Sequence, residues 1–150
     1  RHGDFYWYPR SDEAQIRTLI NGWTTALCAK DLNRMMTYYA KDIVLFDVKP
    51  PYQLQGVPEV RRVWEECLPM FPASFGVETR DLKITVSGDC AHAHWLAHFT
   101  SKEKDHPATQ TWILVTTGYR KDSGQWKIVH EHVSIPFDPE TSQAVYTLNP

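Results

Sequence analysis

The chain has 150 residues, the length of one ordinary domain, enough to bury roughly 70% of the surface it exposes when unfolded. It is 42% hydrophobic and 23% charged, and 16 basic against 18 acidic residues leave a net charge of −2, the balance of a globular chain. That balance gives no electrostatic footprint for nucleic acid or for an anionic membrane, and no apolar run approaches the ~18 residues of a spanning helix.

The first residues, Arg1 to Pro9, carry no apolar signal-peptide core. Their cluster Phe5-Tyr6-Trp7-Tyr8 reads as an aromatic arm packed on the body or on a neighbour. The first strong period runs from Ser11 to Lys30, where Ile16, Leu19, Ile20, Trp23 and Leu27 form one helical stripe. Ser11 is the expected N-cap, with Asp12 and Glu13 well placed in the first turn. A short second helix is expected from Asp31, burying Leu32, Met35, Met36 and Tyr39. The period then changes, and Lys41 to Val48 alternates as a strand covered in part on both faces. Pro50-Pro51 breaks it. Gly56-Val57-Pro58 leads into a third helix with the stripe Val60, Val63, Trp64, Cys67 and Leu68, limited by Pro69.

Beyond that point only strands are expected: about Val77–Val86, Ala91–Ser101, Thr109–Lys121 and Gln125–Pro136. Ser87-Gly88-Asp89 and Asp122-Ser123-Gly124 read as tight hairpin turns, and Lys102 to Pro107 as a looser charged connection. Helices followed by a run of strands is an α+β order. The Trp23 stripe needs a surface, and a curved antiparallel sheet of four or five strands wrapped around the helices supplies one. Such a cone, open at one end, makes a small-molecule pocket the place to look for function. One domain over residues 11–138, the arm before it and a tail over 139–150 complete the expected organisation. Three cysteines, Cys28, Cys67 and Cys90, are odd in number and lack zinc or redox spacing. They point to a reducing, cytoplasmic setting without a disulfide framework.

Three stretches resemble a known superfamily. They are the Trp23-to-Asp31 helix end running through Leu32 into Asp42-Ile-Val-Leu-Phe-Asp47, then Leu54-Gln-Gly56 before the third helix, then the final hairpin Tyr119 to Pro136 with Trp126, His130, His132 and Ser134. The chain resembles nuclear transport factor two, ketosteroid isomerase and, in its ending above all, the SnoaL-like polyketide cyclases. The likeness covers about Ser11 to Phe137. It implies the cone-shaped α+β fold and a homodimer through the sheet. It also implies chemistry that mostly works without metal or other cofactor. It does not fix function, because this fold hosts isomerases, dehydratases, cyclases, epoxide hydrolases, assembly domains and pure binders.

Asp47 ends its strand on the face of Ile43 and Leu45, so its carboxylate is expected inside the cone, where apolar surroundings favour proton transfer. The resemblance to ketosteroid isomerase gives the matching residue the role of base. The competing reading is an Asp that caps the Pro50-Pro51 loop through backbone amides. The isomerase's oxyanion hole does not carry over: Trp23 occupies the tyrosine position, and Thr116 or Thr117 stands where a protonated Asp would be needed. His130 and His132 share an alternation face with Trp126, Ile128 and Ser134. His132 is therefore expected in the pocket as proton donor or acceptor with Asp47, and His130 beside it, or as a core imidazole bonded to a carbonyl or carboxylate. His92, His94 and His98 share a face of an earlier strand whose direction alternation does not settle. The two His-x-His pairs, with Asp47 or Glu131, make a histidine-ligated metal the weakest reading. Trp23, Leu27, Tyr39, Trp64, Trp112 and Ser134 are the expected ligand contacts.

The function expected is thus a pocket protein for an apolar polycyclic or aromatic metabolite. If catalytic, it is a cofactor-free cyclase, dehydratase or isomerase working by acid/base chemistry. The alternative is a non-catalytic dimeric module that binds a ligand or serves assembly.

Overall fold

The computed structural model describes residues 10–150, so all of the aromatic arm except Arg10 lies outside the described residues. Helix α1 spans Asp12–Cys28, and Ser11 caps it by accepting from the Ala14 amide. Its stripe of Ile16, Leu19, Ile20 and Leu27 is buried. Asp31 caps α2 (Leu32–Thr37) in the same manner. Strand β1 is Tyr39–Phe46, followed by a three-residue strand β2 (Gln53–Gln55) that the sequence pattern did not reveal. Helix α3 spans Val57–Cys67, entered through Gly56 at φ +82° and with Pro58 in its first turn. Strands β3 (Gly76–Ser87), β4 (Cys90–Thr100), β5 (Trp112–Asp122) and β6 (Gln125–Ser134) follow.

These six strands form one sheet in the order β2-β1-β6-β5-β4-β3. Its neighbours pair antiparallel apart from β1 and β6, which run parallel, because β1 reaches the end of the later meander through the helical segment. Helices α1 and α3 lie on one face of the sheet, and the core fills the space between. Two bulges bend it. One extra residue sits in β3 between Arg80 and Lys83, where Asp81 takes φ +59°. The other is in β6, where Gly118 faces His130 while the next residue of β5, Tyr119, faces Ile128, leaving Val129 unmatched.

The last residues do not hang free. A small hairpin of β7 (Phe137–Asp138) and β8 (Gln143–Ala144) forms. Further on, the Leu148 backbone bonds to Trp112 and Thr111, and the Arg80 guanidinium donates to the Pro150 carbonyl. Among the described residues no helix is long and apolar enough to cross a membrane. Cys28, Cys67 and Cys90 are all unbridged.

Candidate active site

Between the helices and the concave face of the sheet lies a cavity of about 570 Å³. Its walls are mostly apolar: Leu19, Trp23 and Leu27 from α1, Val63 and Trp64 from α3, and Trp95, Phe99 and Val115 from the sheet. Trp23 and Trp64 meet edge to face with centroids 5.8 Å apart, and Phe71 and Phe99 do likewise at 5.0 Å. Flat aromatic walls of this kind suit a flat apolar ligand. The rim is formed by Asp47-Val48-Lys49 after β1, Met70-Phe71 after α3, and the short turn His106-Pro107-Ala108 before β5.

One carboxyl sits deep in this apolar space. Glu131 is only 6% exposed yet lines the cavity. Its Oε1 accepts from the Tyr39 hydroxyl at 3.2 Å, and the Tyr39 oxygen in turn accepts from the Trp23 indole at 3.1 Å. Burial pushes the Glu131 carboxyl up to about 7; the Tyr39 hydrogen bond opposes this and the negative charge of Asp47 adds to it. Burial likewise drives the Tyr39 hydroxyl well above its ordinary range, so it remains a donor. Across from Glu131 on β5, Thr117 donates to the Tyr119 hydroxyl at 2.6 Å, and both line the cavity. A carboxyl that changes charge near neutrality inside an apolar chamber can give and take a proton under ordinary conditions.

Several expected site residues are on the cavity wall: Asp47, Trp23, Leu27 and Trp64. Asp47 also accepts from the Val48 amide at 2.7 Å, so it holds the rim loop while its carboxylate faces the cavity. Tyr39 stands behind the wall, reaching the site through Glu131. The other four expected residues are elsewhere, and the bulge at Val129 is the reason for three of them. Trp126 and Ile128 face inward as alternation requires, but the extra residue shifts the phase. Glu131 and Val133 then face the cavity, while His130, His132 and Ser134 turn to the outer face. There His130 Nδ1 donates to the Val44 carbonyl at 2.8 Å, and both imidazoles pack on Phe46. Trp112 is the fourth. It lies on the outer face, stacked on His98 at 4.9 Å with the Arg80 guanidinium 4.3 Å above its ring. His92 and His94 are exposed, while Ala93, Trp95 and Ala97 occupy the inner face of β4. Among the described residues no group of three or more His, Cys, Asp or Glu side chains is arranged to hold a metal ion.

Sequence reading missed Glu131 as a pocket residue, along with Thr117, Tyr119 and His106. The alternation Ile113, Val115, Thr117, Tyr119 is a usable signal for the β5 pair. Glu131 carries no such signal, because its direction depends on the bulge.

Comparison with known proteins agrees with this fold. No curated protein matches the chain in sequence. Among solved structures, a nuclear transport factor two-like protein of unknown function from Pseudomonas putida is 35% identical; the match covers 95% of this chain and 100% of that one, with a TM-score of 0.84. A candidate dehydratase of the same family from Streptomyces avermitilis shares the fold at 18% identity, over 87% of this chain and 100% of that one, with a TM-score of 0.73. A candidate ketosteroid isomerase from Shewanella frigidimarina does so at 17% identity, over 78% and 92%, with a TM-score of 0.65. Residues 16–138 match the SnoaL-like domain, and the chain belongs to that family, within the nuclear transport factor two-like superfamily.

Proposed function

We propose that this protein is a cofactor-free acid/base catalyst acting on a flat, mostly apolar metabolite, by isomerisation, dehydration or cyclisation. The observation that carries the reading is Glu131: a carboxyl 6% exposed, on the wall of an aromatic cavity, with a proton affinity near neutrality. Ionised Glu131 takes a proton from a carbon or hydroxyl of the bound molecule and returns it at a neighbouring position. Tyr39 and Trp23 hold its orientation. Asp47, on the same cavity, keeps Glu131 basic through its negative charge, and assists transfer at the rim. The likeness to a candidate dehydratase and a candidate ketosteroid isomerase supports this class of chemistry.

The test is deuterium exchange at the acidic carbon of flat two- and three-ring ketones such as β-tetralone, followed by NMR in heavy water. Wild-type protein is expected to accelerate exchange on some member of the panel. Glu131→Gln, which keeps shape and loses the base, should slow it by about 10²-fold or more. Asp47→Asn should cost less. Exchange by E131Q at the wild-type rate would overturn the role of Glu131. Tight ligand binding with no exchange on any ketone would move the protein to a binding module.

A further inference from the structure

The cavity has polar groups at its inner end and at its rim, and the chemistry above leaves one of the rim groups, His106, without a role. At the rim, His106 lines the cavity from the turn Pro107–Thr109, which it caps: its Nδ1 accepts from the Ala108 amide at 3.1 Å. An amide can only donate, so Nδ1 carries the lone pair and the ring proton sits on Nε2. That Nε2–H, on the far side of the ring, has no partner among the hydrogen bonds of the described residues. The imidazole is also firmly held. The His106 amide donates to the Glu103 carbonyl at 3.0 Å, and the Thr109 hydroxyl donates to the His106 carbonyl at 2.8 Å. The turn is tied to the opposite rim through the Ala73 amide on Glu103 (3.1 Å) and Ser101 on the Ser74 carbonyl (2.8 Å).

Three of the other donors on the wall are already paired. Trp23 Nε1 serves Tyr39, Thr24 serves the Ile20 carbonyl and Thr117 serves Tyr119. Lys49, on the rim, is an exposed ammonium on a flexible stem, which adds charge without direction. We propose that His106 is the specificity-determining donor of the site: its Nε2–H selects molecules with an acceptor oxygen, a carboxylate or carbonyl, at the end opposite the one that meets Glu131. Strand β5 runs from Trp112, next to the turn, to Thr117, opposite Glu131, so the two groups stand at opposite ends of the wall. The inference rests on the reading of the cavity as a ligand site, and it adds which ligands enter and which way round.

Two probes test it: a hydroxynaphthoate with hydroxyl and carboxylate at opposite ends, and the naphthol that lacks the carboxylate. Binding is followed by the probes' fluorescence. Wild type is expected to prefer the carboxylate probe by about tenfold, the effect of one hydrogen bond to a charged oxygen. His106→Phe should bring the two probes level, and His106→Gln, whose amide keeps a donor near the Nε2 position, should retain most of the preference. An undiminished preference in H106F overturns the inference and leaves the acid/base reading intact. Failure of wild type to bind either probe overturns both. Because Phe could disturb the turn, nitrogen NMR of wild-type His106 gives a second readout: the Nε2 resonance must move when the carboxylate probe binds, and an unmoved resonance overturns the proposal without any variant.

Discussion

Glu131 has opposite effects on chemistry and on stability. Its carboxyl is held at about 7 in the folded chain against an ordinary 4.5. Between those values the folded protein keeps a proton that the unfolded chain has released. The protonated group's contribution is therefore complete below the unfolded value and is lost as pH rises through the folded one. The full difference amounts to about 3 kcal/mol. Urea denaturation across this range is expected to show wild type losing stability towards high pH relative to Glu131→Gln, with parallel curves contradicting the assignment. The Tyr39 hydrogen bond lowers the Glu131 value, so Tyr39→Phe should push the carboxyl further up, shifting the low-pH limb of any rate profile, where the base ionises, to higher pH. A profile unchanged in Y39F would show that the contact is not made in solution. At this scale the sequence was informative where a residue's direction follows from an unbroken period. Trp23 and Leu27 on α1, Trp64 on α3 and Asp47 at the end of β1 all lie on the cavity wall as their stripes require. His130, His132 and Ser134 follow a period broken by one residue, and no local feature of Trp126-Lys-Ile-Val-His130 announces that Val129 is the extra one.

The elements themselves were largely legible because each carries its own punctuation. Ser11 and Asp31 cap α1 and α2, and Gly56 with Pro58 opens α3. Strand β2 was not, since three residues are too few to show alternation and their order comes from pairing with β1. The parallel pairing of β1 with β6 was hidden for a related reason: it is a non-local contact between segments far apart in the chain. Gly56 shows how tightly one of these junctions is set. Its φ of +82° lies in the left-handed region, while an added Cβ would find its nearest neighbour, the Lys41 carbonyl oxygen, at 3.7 Å. Space is available, so Gly56→Ala should cost only the conformational term, roughly 1–3 kcal/mol. That cost is measurable as a fall in the denaturation midpoint. A neutral substitution would mean that α3 can be entered by another backbone route.

On the scale of the molecule, the fold separates two surfaces of the sheet. The inner face with its helices encloses the aromatic chamber. The outer face carries His92, His94, His130 and His132, together with Leu114 at 40% exposure. If two copies pair through that outer face, light scattering should give twice the monomer mass, and placing a charge at Leu114 should lower it. A monomeric wild type would contradict the pairing. The Glu131 carboxyl faces the chamber, on the side of the sheet away from this surface. The central claim is that a carboxyl in that chamber exchanges its proton near neutrality, and carbon NMR of glutamate-labelled protein tests it most directly, with Glu131 assigned by comparison with E131Q. The result expected is a titration midpoint near 7 that moves when the hydroxynaphthoate probe fills the cavity. A midpoint at the ordinary 4.5, unmoved by the probe, would contradict the account.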